Sequence, residues 1–269
     1  MKLLPRLIIL FAICLLAVPA FITPVKAAVG DPPFISLSPE EGYVGDNITV
    51  YGENFRHDDR VDIYYEGKPK ASTKVLLGTC QHHGHFDINF TIPESCQGYH
   101  EVYAEDEHDN HASKPFLIKP KISLDRSLAH VGESITIKGT GFPSKGTGIN
   151  IRYYLDADSY TDFPITTQVD DNGSWEESFP IPASAKGVHT IDAYYNDDET
   201  TLSRVNNEEA IIEVQPTIIL NPDSGCVGDT ISVSGSGFGK NENDIKLRYD
   251  GERIGERDAD ENGTWGPIS

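Results

Sequence analysis

One block of sequence occurs three times in this chain, and that repetition limits what the chain can fold into. Ile35–Phe55 returns as Ile122–Phe142 and again as Ile218–Phe238. Each copy holds a Val-Gly-acid triplet, then an alternating apolar run, then a glycine three residues ahead of a closing Phe. The offsets between copies are 87 and 96 residues. Solenoid and propeller repeats run to about 20–50 residues, so a period this long points to whole small domains of about 100 residues in series. Each domain is expected to build its own core.

The pattern inside a copy is that of strands. Val61, Ile63 and Tyr65 alternate with Asp62 and Tyr64, and the same rhythm recurs at Ile149, Ile151, Tyr153 and at Ile245, Leu247, Tyr249. Phe86, Ile88, Phe90 and Ile92 alternate with Asp87, Asn89 and Thr91. Period-two alternation marks a strand with one buried face. In the second copy Trp175, Phe179 and Ile181 keep this rhythm, which Glu177 interrupts. The first unit is expected to form strands over Phe34–Ser38, Asn47–Tyr51, Arg60–Tyr65, Ser72–Cys80, Phe86–Ile92, His100–Asp106 and Lys114–Ile118. Seven short strands with turn residues between them favour a two-sheet β-sandwich. Asn54, Gly141 and Gly237 hold one position just before the shared Phe, and Asn and Gly tolerate positive φ, so a tight bend is expected there.

The lead Pro33-Phe-Ile-Ser-Leu-Ser-Pro39, the core Val-Gly-Asp-Asn-Ile-Thr-Val-x-Gly-x-x-Phe and the strand Val-Asp-Ile-Tyr-Tyr together resemble IPT/TIG-type immunoglobulin-like domains. The Asp-x-Asn-Gly-Ser/Thr-Trp and Gly-x-His-x-Ile/Val-x-Ala motifs are similar to Ig-like modules of exported prokaryotic surface proteins. The resemblance covers nearly all of the chain after residue 30. It implies an all-β fold of tandem immunoglobulin-like β-sandwiches, two complete and a third truncated. The boundaries expected are 31–118, 119–215 and a partial unit at 216–269. The third copy stops soon after Gly263-Thr-Trp265, so open sheet edges are expected there.

Lys2 and Arg6 precede an apolar run, Leu7–Val18, that is followed by Val25-Lys26-Ala27. This is the layout of a secretory signal, residues 1–27, cut after Ala27. Export would carry the chain to the medium or the cell surface, with no membrane span in the mature part. The chain carries a net charge of −20, and loss of Lys2, Arg6 and Lys26 makes the mature part more acidic still. Such a field repels nucleic acid. The partners expected are protein or carbohydrate at a cell surface, together with neighbouring repeats of a longer chain. The mature cysteines are Cys80, Cys96 and Cys226, too few for a disulfide framework. A Cys80–Cys96 bridge is not expected, because a strand of about 23 Å separates the two ends.

Cys80-Gln81-His82-His83-Gly84-His85 reads at first like a metal site, but aligned by repeat Gln81–His85 lies over Asp170-Asp171-Asn172-Gly173-Ser174 and Asp260–Thr264. The expectation is therefore a β-turn. In a seven-stranded sandwich the second, fourth and sixth connections share a pole, which would gather His57, His82, His83, His85, His108 and His111 among Asp58, Asp59, Asp106 and Asp109. Imidazole mixed with carboxylate suits Zn²⁺ or another transition metal. The same pole of the second unit would bring Asp170, Asp171, Asp197 and Asp198 toward the end of the first, near Lys119-Pro120-Lys121, where oxygen ligands suit Ca²⁺. Neither set has a strict ligand spacing, and solvated polar loops account for both. His100 and His189 recur after Gly98 and Gly187, which suggests a structural role.

No nucleophile–base–acid frame, phosphate loop or paired acids in a concave setting is legible. The favoured reading is a non-enzymatic exported rod serving as stalk, adhesive or structural element. The alternatives are an accessory module of an extracellular, carbohydrate-active enzyme and a metal-binding surface module.

Overall fold

The computed structural model describes residues 31–77, 84–144, 148–164, 168–198, 201–204 and 210–268, without side chains for Leu77, Pro164, Asn196–Asp198 and Thr201–Arg204. Among these residues the chain is all-β, and its strands fall into three successive sandwiches. The signal-like segment 1–27 lies outside the described residues. Among the described residues no helix is long and apolar enough to cross a membrane.

Unit 1 pairs two sheets. One has the order Phe34–Ser38, Asn47–Phe55, Gly84–Thr91, Leu76–Leu77, and the other Glu41–Gly42, His111–Ile118, Gly98–Asp106, Arg60–Tyr65, Lys68–Lys74. The lead segment fastens the layers together, because Phe34–Ser38 joins the first sheet antiparallel while Glu41–Gly42 joins the second in parallel with His111–Ile118. Unit 2 repeats this plan. Lys121–Leu124, Ser134–Thr140 and Trp175–Pro180 make one sheet, while Leu128–Ala129, Ala210–Val214, Gly187–Asp198, Ile149–Tyr154 and Tyr160–Pro164 make the other. In unit 3 the sheets hold three strands, Thr217–Asn221, Ser232–Ser236 and Trp265–Ile268, and two, Ile245–Tyr249 and Glu252–Arg257.

One expected strand is corrected. Ser72–Cys80 is not continuous, because Lys68–Lys74 pairs with Arg60–Tyr65 whereas Leu76–Leu77 crosses to the other sheet and pairs with His85–Gly84. The crossing point is Val75, which is buried and donates its N–H to the Asp59 carbonyl.

The alternating residues build three separate cores. Ile35, Ile48, Val50, Phe55, Val61 and Ile63 belong to the first, Ile135, Ile137, Phe142, Tyr153 and Trp175 to the second, and Leu247, Ala259 and Trp265 to the third. The glycine three residues before each Phe is explained by an aromatic ring lying flat on its backbone. A Cβ at Gly52 would lie 2.0 Å from Phe86, at Gly139 2.1 Å from Trp175, and at Gly235 2.2 Å from Trp265. In the smaller third unit Ile218, Ile219, Leu220, Tyr249 and Ile254 remain exposed.

The expected bend is present, with φ of 64° at Asn54, 68° at Gly141 and 69° at Gly237. A Cβ at Gly141 would come 2.6 Å from the Lys119 carbonyl, and one at Gly237 2.6 Å from that of Gln215. In unit 1 the same gap is filled, since the Asn54 side-chain amide donates to the Pro32 carbonyl at 3.2 Å.

Two buried tyrosines make the stability of both complete units sensitive to alkali. Tyr65 donates to Ser95 Oγ at 3.0 Å, and the Tyr153 and Ser184 hydroxyls lie 3.0 Å apart. Burial pushes both phenols up to about 12, with the serine contact pulling the other way. A raised folded-state value favours the neutral phenol, so this stability is fully present below about pH 10 and is lost as the pH rises through about 12. Units 1 and 2 are expected to melt at lower temperature across that window. Tyr65→Phe and Tyr153→Phe should each flatten the alkaline limb of their own unit, as followed by circular dichroism.

Candidate functional site: the loop poles and the joints between units

The N-terminal pole of unit 1 carries the loops singled out by the histidines. Asp106, at the end of Gly98–Asp106, is buried, and its carboxylate is fully engaged. It accepts from the N–H of His108 (2.9 Å), of Asn110 (3.0 Å) and of Arg56 (3.4 Å), and from the Asn110 side-chain amide at 2.9 and 3.1 Å. Burial raises its pKa, but the hydrogen bonds outweigh burial and hold the group below the ordinary carboxylate range. His108 Nδ1 lies 2.6 Å from Asp59 Oδ2. One ligand atom each from Asp59, Asp106 and His108 fall within 4.8 Å of one another. The lone pairs of Asp106 are spent on backbone N–H groups and the Asn110 amide, and His108 and Asp59 already bond each other. This chemistry fits a fastening between two loops better than an open metal centre.

The other histidines have separate partners. His57 contacts Asp58 at 3.3 Å, and His111 stacks on Tyr103 with Nδ1 3.0 Å from the Asp109 carbonyl. His85 sits opposite Leu76 and Glu53 in the sheet. His82, His83 and Cys80 lie outside the described residues. Cys96 and Cys226 are free thiols.

A depressed folded-state value means that Asp106 contributes stability above about pH 4, stability that is lost as the pH falls through the folded value. Unit 1 should therefore weaken in acid. Asp106→Asn should cost about 1–3 kcal/mol at neutral pH and make the acid limb shallower, measured by urea unfolding against pH.

The end of the aligned hairpin holds, since Gly84, Gly173 and Gly263 each lie against the carbonyl of their unit's shared Phe, but its start is corrected. In units 2 and 3 the turn is tight, with Asp170 Oδ1 accepting from Asn172 and Ser174 N–H at 2.9 and 2.8 Å, and Asp260 Oδ1 accepting from Asn262 and Thr264 at 2.9 Å. Val75 donates to the Asp59 carbonyl as Ala259 does to that of Glu242, so Val75, not Cys80, starts the turn of unit 1. Nine residues separate Val75 from His85, whereas four separate Val169 from Ser174. Repeat alignment without gaps could not reveal this insertion.

The acidic hairpin of unit 2 does face unit 1, at Cys96 and Gln97. Asp171 and Asn172 line a groove with Tyr65, Lys68, Lys70 and Cys96 of unit 1. Asp170 is committed to its own turn. Asp197 and Asp198 lie on the Gly187–Asp198 strand, and their side chains are outside the described residues.

Sequence reading missed the joints themselves. The Gln97 N–H donates to the Phe142 carbonyl at 3.0 Å, and the Lys186 N–H donates to the Phe238 carbonyl at 2.8 Å. A Cβ at Gly173 would meet Cys96 Cα at 2.9 Å, and one at Gly263 would meet Ala185 Cα at 3.0 Å. At the two joints Phe142 and Phe238 thus serve twice, packing their rings into their own units and offering their carbonyls to the unit before. Tyr43 and its counterpart His130 both sit at these seams, Lys121 lying over the Tyr43 ring and His130 Nδ1 lying 2.9 Å from the Gln215 carbonyl. Lys186–Glu242 and Lys240–Asp156 ion pairs tie unit 2 to unit 3. His100 and His189 shape the loops behind the joints. Their Nε2 atoms lie 2.7 Å from the Cys96 carbonyl and 2.8 Å from that of Ala185, and their rings stack on Tyr65 and Tyr153.

No family model matches the chain, and no curated protein matches it. Solved structures do. A dimeric latent PorU from Porphyromonas gingivalis is 15% identical with a TM-score of 0.33, over 69% of this chain and 20% of that one. A tetra-tandem repeat in the extending region of a large adhesion protein is 13% identical with a TM-score of 0.29, over 88% of this chain and 65% of that one. The Escherichia coli adhesin FdeC is 13% identical with a TM-score of 0.29, over 77% and 73% of the two chains.

Proposed function

We propose that the chain is a non-enzymatic, exported module of IPT/TIG-like immunoglobulin-like repeats that acts at a cell surface as a stalk or adhesive element. The carrying observation is the repeated joint. Units 1 to 2 and 2 to 3 are fastened by the same main-chain hydrogen bond and the same glycine contact. Joints of this kind hold successive beads end to end, which is the physical requirement of a spacer. The acidic surface keeps such a rod soluble and directs it away from nucleic acid.

Small-angle scattering on residues 28–269 tests the spacer part. The expected result is a rigid, elongated particle whose length does not change with salt. A freely hinged or compact particle would remove the basis for this function. Retention of the same fragment on cells or immobilised glycans would distinguish an adhesive element from a passive stalk.

A further inference from the structure

We infer that the joint between units 2 and 3 is proton-linked: His189 grips the peptide that seats unit 3, and the grip is complete only when the imidazole carries both ring protons. The Lys186 N–H that donates to the Phe238 carbonyl belongs to the same peptide group as the Ala185 carbonyl. His189 Nε2 lies 2.8 Å from that carbonyl, so one amide plane is held by unit 3 at its N–H and by His189 at its oxygen. A hydrogen bond to the oxygen polarises the amide and makes its N–H a better donor. Gly187, with φ of 132°, turns the chain so that the ring folds back on this peptide.

The other ring nitrogen brings in the proton. His189 is buried, its ring stacks on Tyr153, and Nδ1 lies 3.0 Å from the Tyr154 carbonyl. Both carbonyls can only accept. A neutral imidazole has one N–H and turns the lone pair of its second nitrogen toward an oxygen, whereas the cation donates to both. The charged groups around the ring are themselves paired. Asp156 shares a groove with His189 and is held by Ser159 and Lys240. The turn before Gly187 brings Ser184, bonded to the Tyr153 hydroxyl, and Lys186, paired with Glu242. Strand Ala210–Val214 sets Ile212 opposite His189 and turns Glu213 to the outer face. Unit 1 repeats the device. His100 Nε2 lies 2.7 Å from the Cys96 carbonyl, on the peptide whose Gln97 N–H seats unit 2, and Nδ1 lies 3.3 Å from the Glu66 carboxylate. Glu66 holds the repeat position of Tyr154, so a side-chain acceptor replaces the backbone one. The full grip is present in mild acid and is lost as the ring gives up its second proton with rising pH.

Hydrogen exchange at the Lys186 amide of the intact chain is the test, expressed as protection relative to an unfolded chain so that the intrinsic pH dependence drops out. Protection is expected to be about tenfold higher at about pH 5.5 than at about pH 8.5, the size of one hydrogen bond from a charged donor. His189→Phe keeps a ring on Tyr153 and removes both donors, so its Lys186 protection should be low and the same at both ends of the range. Equal protection at the two pH values in the unaltered chain, or a dependence that survives His189→Phe, would overturn the inference. Nitrogen NMR of the imidazole decides even if His189→Phe does not fold. Both ring nitrogens of His189 are expected to carry hydrogen at about pH 7, and one bare nitrogen there would overturn the inference as well. The proton link rests on the seated joint that carries the spacer reading. Protection that is high but flat with pH would end the link and leave the spacer standing, whereas an unprotected Lys186 amide at every pH would remove both.

Discussion

Trp175→Ala is expected to remove about 3–5 kcal/mol from unit 2, the range for truncating a large buried aromatic residue. Trp175 is buried, meets Phe142 edge-on at 5.4 Å between ring centroids, and covers the backbone of Gly139. Removing it opens a cavity at the centre of the sandwich, and the facing glycine has no side chain with which to fill it. The cores are separate, so the loss should be local. Urea unfolding followed by amide exchange should show unit 2 opening early while the Ile48 and Val50 amides of unit 1 keep their protection. A single unfolding transition that carries unit 1 down with unit 2 would contradict independent cores.

Gly173→Ala should have an effect of similar size by another route. Its φ is +77°, where a side chain costs about 1–2 kcal/mol, and the added Cβ would fall 2.1 Å from the Phe142 carbonyl and 2.9 Å from Cys96 Cα. Both of those neighbours are backbone atoms and cannot swing aside. The hairpin must shift, and the Phe142 carbonyl that receives Gln97 must shift with it. Unit 2 is expected to lose more than about 2 kcal/mol, and the Gln97 amide should exchange at the rate of an open loop. Gly187→Ala is the matched control, since it too has positive φ but no atom within 4 Å of its Cβ. It should lose stability without loosening the first joint.

The strands and the three-part division were legible because they rest on period and repeat, which survive in one dimension. The bend at Asn54, Gly141 and Gly237 was legible for a related reason, since only a few residue types accept that conformation. The turn of unit 1 was not. Its histidines align with Asp-Asp-Asn-Gly in number and character, and only hydrogen-bond register shows that the strand crosses sheets at Val75. The histidine pole was half legible. Loop order places His57, His85, His108 and His111 at one end, but nothing in the sequence says that Asp106 is consumed by backbone donors. The preceding unit's share of the main-chain contact left no trace in residue identity, because Gln97 and Lys186 donate through their N–H groups and Cys96 and Ala185 contribute Cα.

A contact made by main-chain atoms places few demands on side chains. When the coding segment for one such bead is duplicated, both fresh boundaries inherit a working seam with no compensating substitutions. Arrays wired in this way can grow or shrink by whole beads while their surfaces drift apart, so length and recognition are free to evolve separately.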